Sequence, residues 1–144
     1  MHKTDILYPI FVLAAWTVIV LVQVPIVRFY AAFGHEVVES DFKLGESAAV
    51  PAYVSLPNRN YMNLLELPVL FYVVCLLFYM TNGVSLIVVQ IAWVYVALRL
   101  AHSAVHLSYN NSVHRFLVFA LSNLVLIALW IFAALHIFFN KTTL

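Results

Sequence analysis

Two trios of side chains stand at helical spacing and could build one ligand-binding surface. Arg59, Asn63 and Glu66 are spaced i, i+4, i+7, and Arg99, His102 and His106 are spaced i, i+3, i+7. At about 100° per residue, each trio falls within roughly 60° of arc, so each forms a narrow polar stripe on a helix. Arg28 and Arg115 contribute two further guanidiniums. Arginines grip carboxylates bidentately, while Glu66 can accept a hydrogen bond from a ligand ammonium group. Such a set suits a small zwitterion that is mainly anionic. Glutathione, with its carboxylates, ammonium group and thiol, fits that inventory, although composition alone does not select it over other anions. An arginine beside a thiol favours thiolate over thiol, and the thiolate is the nucleophile.

Blander readings exist for each group. Arg28, Arg59 and Arg115 can serve as interfacial anchors, Glu66 and Arg99 as an interhelical ion pair, and the histidines as caps or internal hydrogen-bonding groups. The gathering of eight such residues at one end of the chain's helices favours a ligand site. A metal centre is disfavoured, because His102 and His106 have one carboxylate and no cysteine near them. Nor can they be the two axial ligands of one haem, since both lie on the same helix face. Cys75, alone among apolar neighbours, reads as packing rather than a redox thiol.

The elements that must position these groups are membrane spans. Of 144 residues, 65% are hydrophobic and 9% carry Asp, Glu, Lys or Arg, and mean hydropathy is +1.01. A soluble domain has about a quarter charged residues, so the solvent implied is a bilayer. The net charge of +1 and the lack of a basic run exclude nucleic acid as a partner. Apolar stretches predict helices over about 6–27, 60–80, 84–107 and 115–139, each near the ~20 residues that cross the hydrocarbon. Strands are excluded because lipid satisfies no backbone groups and the segments are too long for a barrel. The first stretch exceeds a signal-peptide core and is followed by no small-x-small cleavage pattern, so it reads as a retained helix.

The fold expected is therefore all-α, an antiparallel four-helix membrane bundle in a single domain over 1–144. A long charged connection joins the first two helices, a tight 81–83 turn the next two, and a short polar segment the last two. Pro68 should kink the second helix near its start. Gly34, Gly45 and Gly83 all lie in connections, which leaves no GxxxG seam. Antiparallel order puts all eight polar residues in one leaflet, with Arg99 some 12–15 Å below its helix end, facing a polar cavity or Glu66. Arg28, Lys43, Arg59 and Arg115 flank that side against Lys3 and Lys141 on the other. The positive-inside rule then predicts a cytoplasmic long loop and both termini outside.

Arg59-x-x-x-Asn63-x-x-Glu66, followed by Pro68, resembles the second-helix signature of the MAPEG family, membrane-associated proteins in eicosanoid and glutathione metabolism. Arg99-x-x-His102-x-x-x-His106 resembles that family's third-helix motif, and Arg115 matches the arginine that opens its fourth helix. The wording "NLLELPVLFY" and "ALRLAHSAVHL" looks like the bacterial branch, and the resemblance covers nearly the whole chain. It implies a homotrimer in the bacterial inner membrane, with glutathione bound between subunits near the cytoplasmic side. Arg28 of one subunit would reach the ligand held by Arg59, Asn63, Glu66, Arg99, His102 and His106 of the next, and Arg115 would stabilise the thiolate. The implied activity is that of a glutathione transferase or peroxidase on lipophilic electrophiles or hydroperoxides. The alternative is a non-catalytic member that binds membrane lipid or acts as a scaffold. His106 stands where eukaryotic relatives commonly have tyrosine, and Phe116 and Phe119 stand where some synthases have serine and tyrosine. These departures weaken a prostaglandin-synthase reading and leave the transferase or peroxidase reading, carried by Arg115.

Overall fold

The computed structural model describes residues 2–43 and 45–139; Lys141, used in the orientation argument, lies outside them. The described chain forms five α-helices: α1 Leu7–Phe33, α2 Ala52–Leu65, α3 Pro68–Met80, α4 Leu86–Leu107 and α5 Ser112–Phe139. Two short 3-10 turns accompany them, Lys3–Ile6 and Glu39–Phe42. Because α2 and α3 run on from one another as a single broken span, four helical segments are long and apolar enough to cross a membrane.

The break between α2 and α3 has a local cause. Pro68 offers no backbone N–H, and its ring crowds the carbonyl one turn earlier. The helix stops at Leu65, Glu66 leaves the helical region at φ −79°, ψ −96°, and Pro68 restarts it in the first turn of α3. The kink expected at Pro68 is thus a full interruption, placed two residues earlier. Glu66 accordingly does not continue a stripe with Arg59 and Asn63. It sits in the break, exposed, while Asn63 stays helical and returns its amide Nδ2 to the Arg59 carbonyl at 2.8 Å.

Three helices also run further than the apolar runs alone suggest, α5 by three residues at its start and α1 and α2 by more. α1 continues six residues beyond 27, and α2 starts at Ala52 rather than near 60. A search for membrane-apolar residues misses these turns because they lie where the chain leaves the hydrocarbon. They are held by a small core of their own, in which Ala31, Val37, Val50 and Val54 are buried against Val27 and Phe42. The long connection is therefore partly folded onto the bundle end.

α4 is the central helix. It packs most extensively on α5 and also against α1 and α2, while α1 lies along α2. The main core joins Leu13 and Val20 of α1, Phe71 and Phe78 of α3, Tyr95 of α4 and Leu129 of α5. Phe71 stacks on Tyr95 with ring centroids 4.5 Å apart, an arrangement that adds about 0.5–1.5 kcal/mol to area burial. Outward positions such as Phe11, Ile26, Leu124 and Ile131 are exposed apolar side chains, as a lipid-facing surface requires. Asn60 Nδ2 and Trp16 Nε1 both donate to Ser103 Oγ, at 2.6 and 2.8 Å, pinning α2 and α1 to α4. The Trp16 ring thereby has a definite partner inside the bundle.

Candidate functional site

The site grows from one face of α4. Ser85 starts that helix with a capping bond from the Val88 amide, and the buried face then runs through Tyr95, Arg99, His102, Ser103 and His106. Arg99 is 0% exposed, His102 3% and His106 1%. Charged side chains are almost never so deeply buried unless paired. Yet among the described residues the Arg99 guanidinium finds a single hydrogen-bond acceptor, the Asn63 carbonyl, through Nη2. Its Nε and Nη1 have none, nor do His102 Nδ1 and both ring nitrogens of His106. Phe119 covers Arg99 from α5, with 5.7 Å between the guanidinium carbon and the ring centroid. The same ring lies 5.8 Å from the His102 ring.

Arg99 and Glu66 do not form the ion pair weighed as one option. Among the described residues the ion pair within hydrogen-bond distance joins Arg28 and Glu46 at 3.0 Å. Arg28 also lies over the Phe42 ring at 4.7 Å, beside an apolar cleft of about 490 Å³ between the end of α1 and the long connection. Within one chain it is remote from the α4 cluster in partnership, held by the loop instead. In that loop Asp41 accepts from the Val38 amide and the Ser47 hydroxyl, at 3.0 and 2.8 Å. These bonds hold its carboxyl below the usual carboxylate range.

α5 supplies the other wall. Asn111 Oδ1 accepts from the amides of Val113 and His114, both at 3.0 Å, which caps the helix and fixes where Arg115 leaves it. Asn63, His102, Ser112, Arg115, Phe116 and Phe119 line a cavity of about 270 Å³. Asn63, His102 and Arg115, picked from sequence on three different spans, thus meet in one space, and Arg99 adjoins it through Asn63. His106 packs beside His102, ring centroids 6.0 Å apart. Arg59 and Glu66 are exposed and make no side-chain hydrogen bond among the described residues, and Arg28 is turned to Glu46.

Sequence reasoning missed Ser103, Asn60 and Asn110. Ser103 and Asn60 are both fully buried and knit the helices that bear the site. The signal that could have found Asn60 is its place beside Arg59 on a segment read as starting only there. Asn110 holds Nη1 of Arg115 through its side-chain oxygen at 2.7 Å.

Arg115, Asn63 and His102 face the cavity, and behind it the buried Arg99 and His106 keep nitrogens without a partner among the described residues. The orphaned donors are what a small polyanionic zwitterion would satisfy, so the residues present fit glutathione. The model of one family, MAPEG, matches residues 6–135. No curated protein and no solved structure matches the chain.

Proposed function

The chain belongs to the MAPEG family, as an integral membrane protein, and from that premise we propose that it is a glutathione-dependent transferase or peroxidase acting on lipophilic electrophiles or hydroperoxides. The observation that carries this reading is the buried Arg99, fully desolvated, with two unpartnered guanidinium nitrogens and no carboxylate bound to it. A lone buried charge is costly, and a protein that keeps one has a use for it.

Glutathione supplies the thiol. The chain's residues do the rest. Arg99, with Asn63, His102 and His106, binds the peptide's anionic groups, and Glu66 takes its ammonium group. Arg115 lies on the cavity wall with Nε buried and unpartnered. Its positive charge favours the ionised sulfur, and Phe116 and Phe119 keep water from it. A lipophilic substrate enters from the membrane, where the outer faces of the helices already are.

Arg28, Arg59 and Glu66 point to an assembly. Arg59 and Glu66 are exposed with no side-chain hydrogen bond among the described residues, and Arg28 is not part of the cavity's lining. In the proposed homotrimer Arg28 of one subunit completes the site of the next; native mass measurement in mild detergent checks the number. In this reading the long loop faces the cytoplasm, supported by the excess of Lys and Arg on its side, and the membrane is a bacterial inner membrane, as the resemblance implies.

The test is thermal unfolding and calorimetry of the detergent-purified protein with glutathione. Wild type should bind and be stabilised. Arg99→Met keeps the packed volume and removes the charge; the ligand-free variant should melt within a few degrees of wild type and lose the glutathione-dependent shift. Binding that survives in Arg99→Met overturns the site, and absence of binding in wild type favours the lipid-binding scaffold.

A further inference from the structure

The segment between α4 and α5 carries two consecutive asparagines with different tasks. Asn111 caps α5, as described. Asn110 adopts a left-handed backbone, φ 48°, and its amide donates to the Val105 carbonyl at 2.9 Å, closing the last turn of α4. Its side-chain oxygen accepts from Arg115 Nη1 at 2.7 Å. The two bonds lock the end of one helix to the arginine that opens the next.

We propose that Asn110 is the positioning residue for Arg115, holding Nη1 so that the guanidinium's remaining N–H groups, the buried, unpartnered Nε among them, are kept for the bound thiolate. The proposal rests on the thiolate role of Arg115 and deepens it. Three residue types take a left-handed conformation at low cost, glycine, asparagine and aspartate. Glycine would make the same turn and offer Arg115 no acceptor. Aspartate would hold the guanidinium and also neutralise it, as Glu46 does for Arg28. Asparagine is the one that fixes the guanidinium and leaves its charge unspent for the sulfur. Arg115 is only partly buried, so without this tether its long side chain has other rotamers open to it.

The experiment is an ultraviolet pH titration of bound glutathione, with conjugation of a chlorodinitrobenzene electrophile measured beside it. Wild type should hold thiolate at neutral pH, and Arg115→Ala should lose it. Asn110→Gly and Asn110→Asp should each raise the bound thiol pKa by about one unit, roughly a tenfold loss of thiolate where the thiol is mostly protonated, with glutathione affinity little changed. In an Arg115→Ala background, Asn110→Gly should add no further loss, because Asn110 acts through Arg115. Whereas the carboxylate of Asn110→Asp raises the thiol pKa by its charge, a purely structural turn residue predicts the opposite for Asn110→Gly, which tolerates the left-handed backbone and would titrate like wild type. That result, with Arg115→Ala still shifted, overturns the positioning role alone. No thiolate in wild type, or an Arg115→Ala curve that matches it, overturns the role of Arg115 and this proposal together.

Discussion

At the end of the bundle where α3 turns into α4, polar side chains sit at the surface and are used up among themselves. Lys3 Nζ donates to Asn82 Oδ1 at 3.2 Å and lies over the Tyr79 ring, and the His136 ring bonds the Thr81 carbonyl at 3.1 Å. At the other end, Arg99, His102 and His106 are buried and keep donors and acceptors that no described residue meets. Both ends are built from cations, histidines and amides. The difference is that one closes its hydrogen bonds at the surface, where water would have served, and the other leaves them open inside, where leaving them open costs most. An incomplete interior marks the end that awaits something.

The contrast between the two ends turns most on Arg115. Arg115→Ala should cut turnover of a lipophilic electrophile by about 10²–10³-fold, the scale of losing one transition-state donor, while glutathione stays bound. Steady-state kinetics beside calorimetry checks it; a fall in affinity with unchanged turnover would make Arg115 an anchor. Next comes Glu66→Gln, which should weaken glutathione binding by roughly 1–3 kcal/mol, the range for a charged hydrogen-bond partner. Equal affinities in calorimetry would remove Glu66 from the site. Smaller again is the effect at the long connection. Asp41 is held ionised by Val38 and Ser47, so its contribution is full above the ordinary carboxylate pKa and fades as pH falls through its own lower value. Slowed amide exchange at Val38 should therefore persist at neutral pH and be lost in acid, and Asp41→Asn should flatten that dependence. The smallest change belongs to the closed end: Lys3→Ala should shift stability by no more than about 0.5 kcal/mol and leave glutathione binding untouched. A large effect there would erase the contrast between the two ends.

The amino-acid sequence by itself determined that the chain is all-helical with four spans, because hydrocarbon thickness sets the length of an apolar run and helical periodicity sets which residues share a face. It also marked Asn63, His102 and Arg115 on separate spans. Antiparallel order then requires them to lie at one level, and the fold brings them into one cavity. The tertiary structure decided what depends on partners distant in the chain or on local backbone geometry. Pro68 displaced Glu66 from its helical stripe, since a ring that blocks one carbonyl ends a helix where spacing alone would continue it. Glu46 claimed Arg28, because the long connection folds back on α1 and nothing in a charge pattern says where a loop returns. Asn110 gained Arg115 through a left-handed backbone that no periodicity encodes. Residue type and spacing fix which groups can do chemistry; only the folded chain fixes which of them remain unpaired to do it.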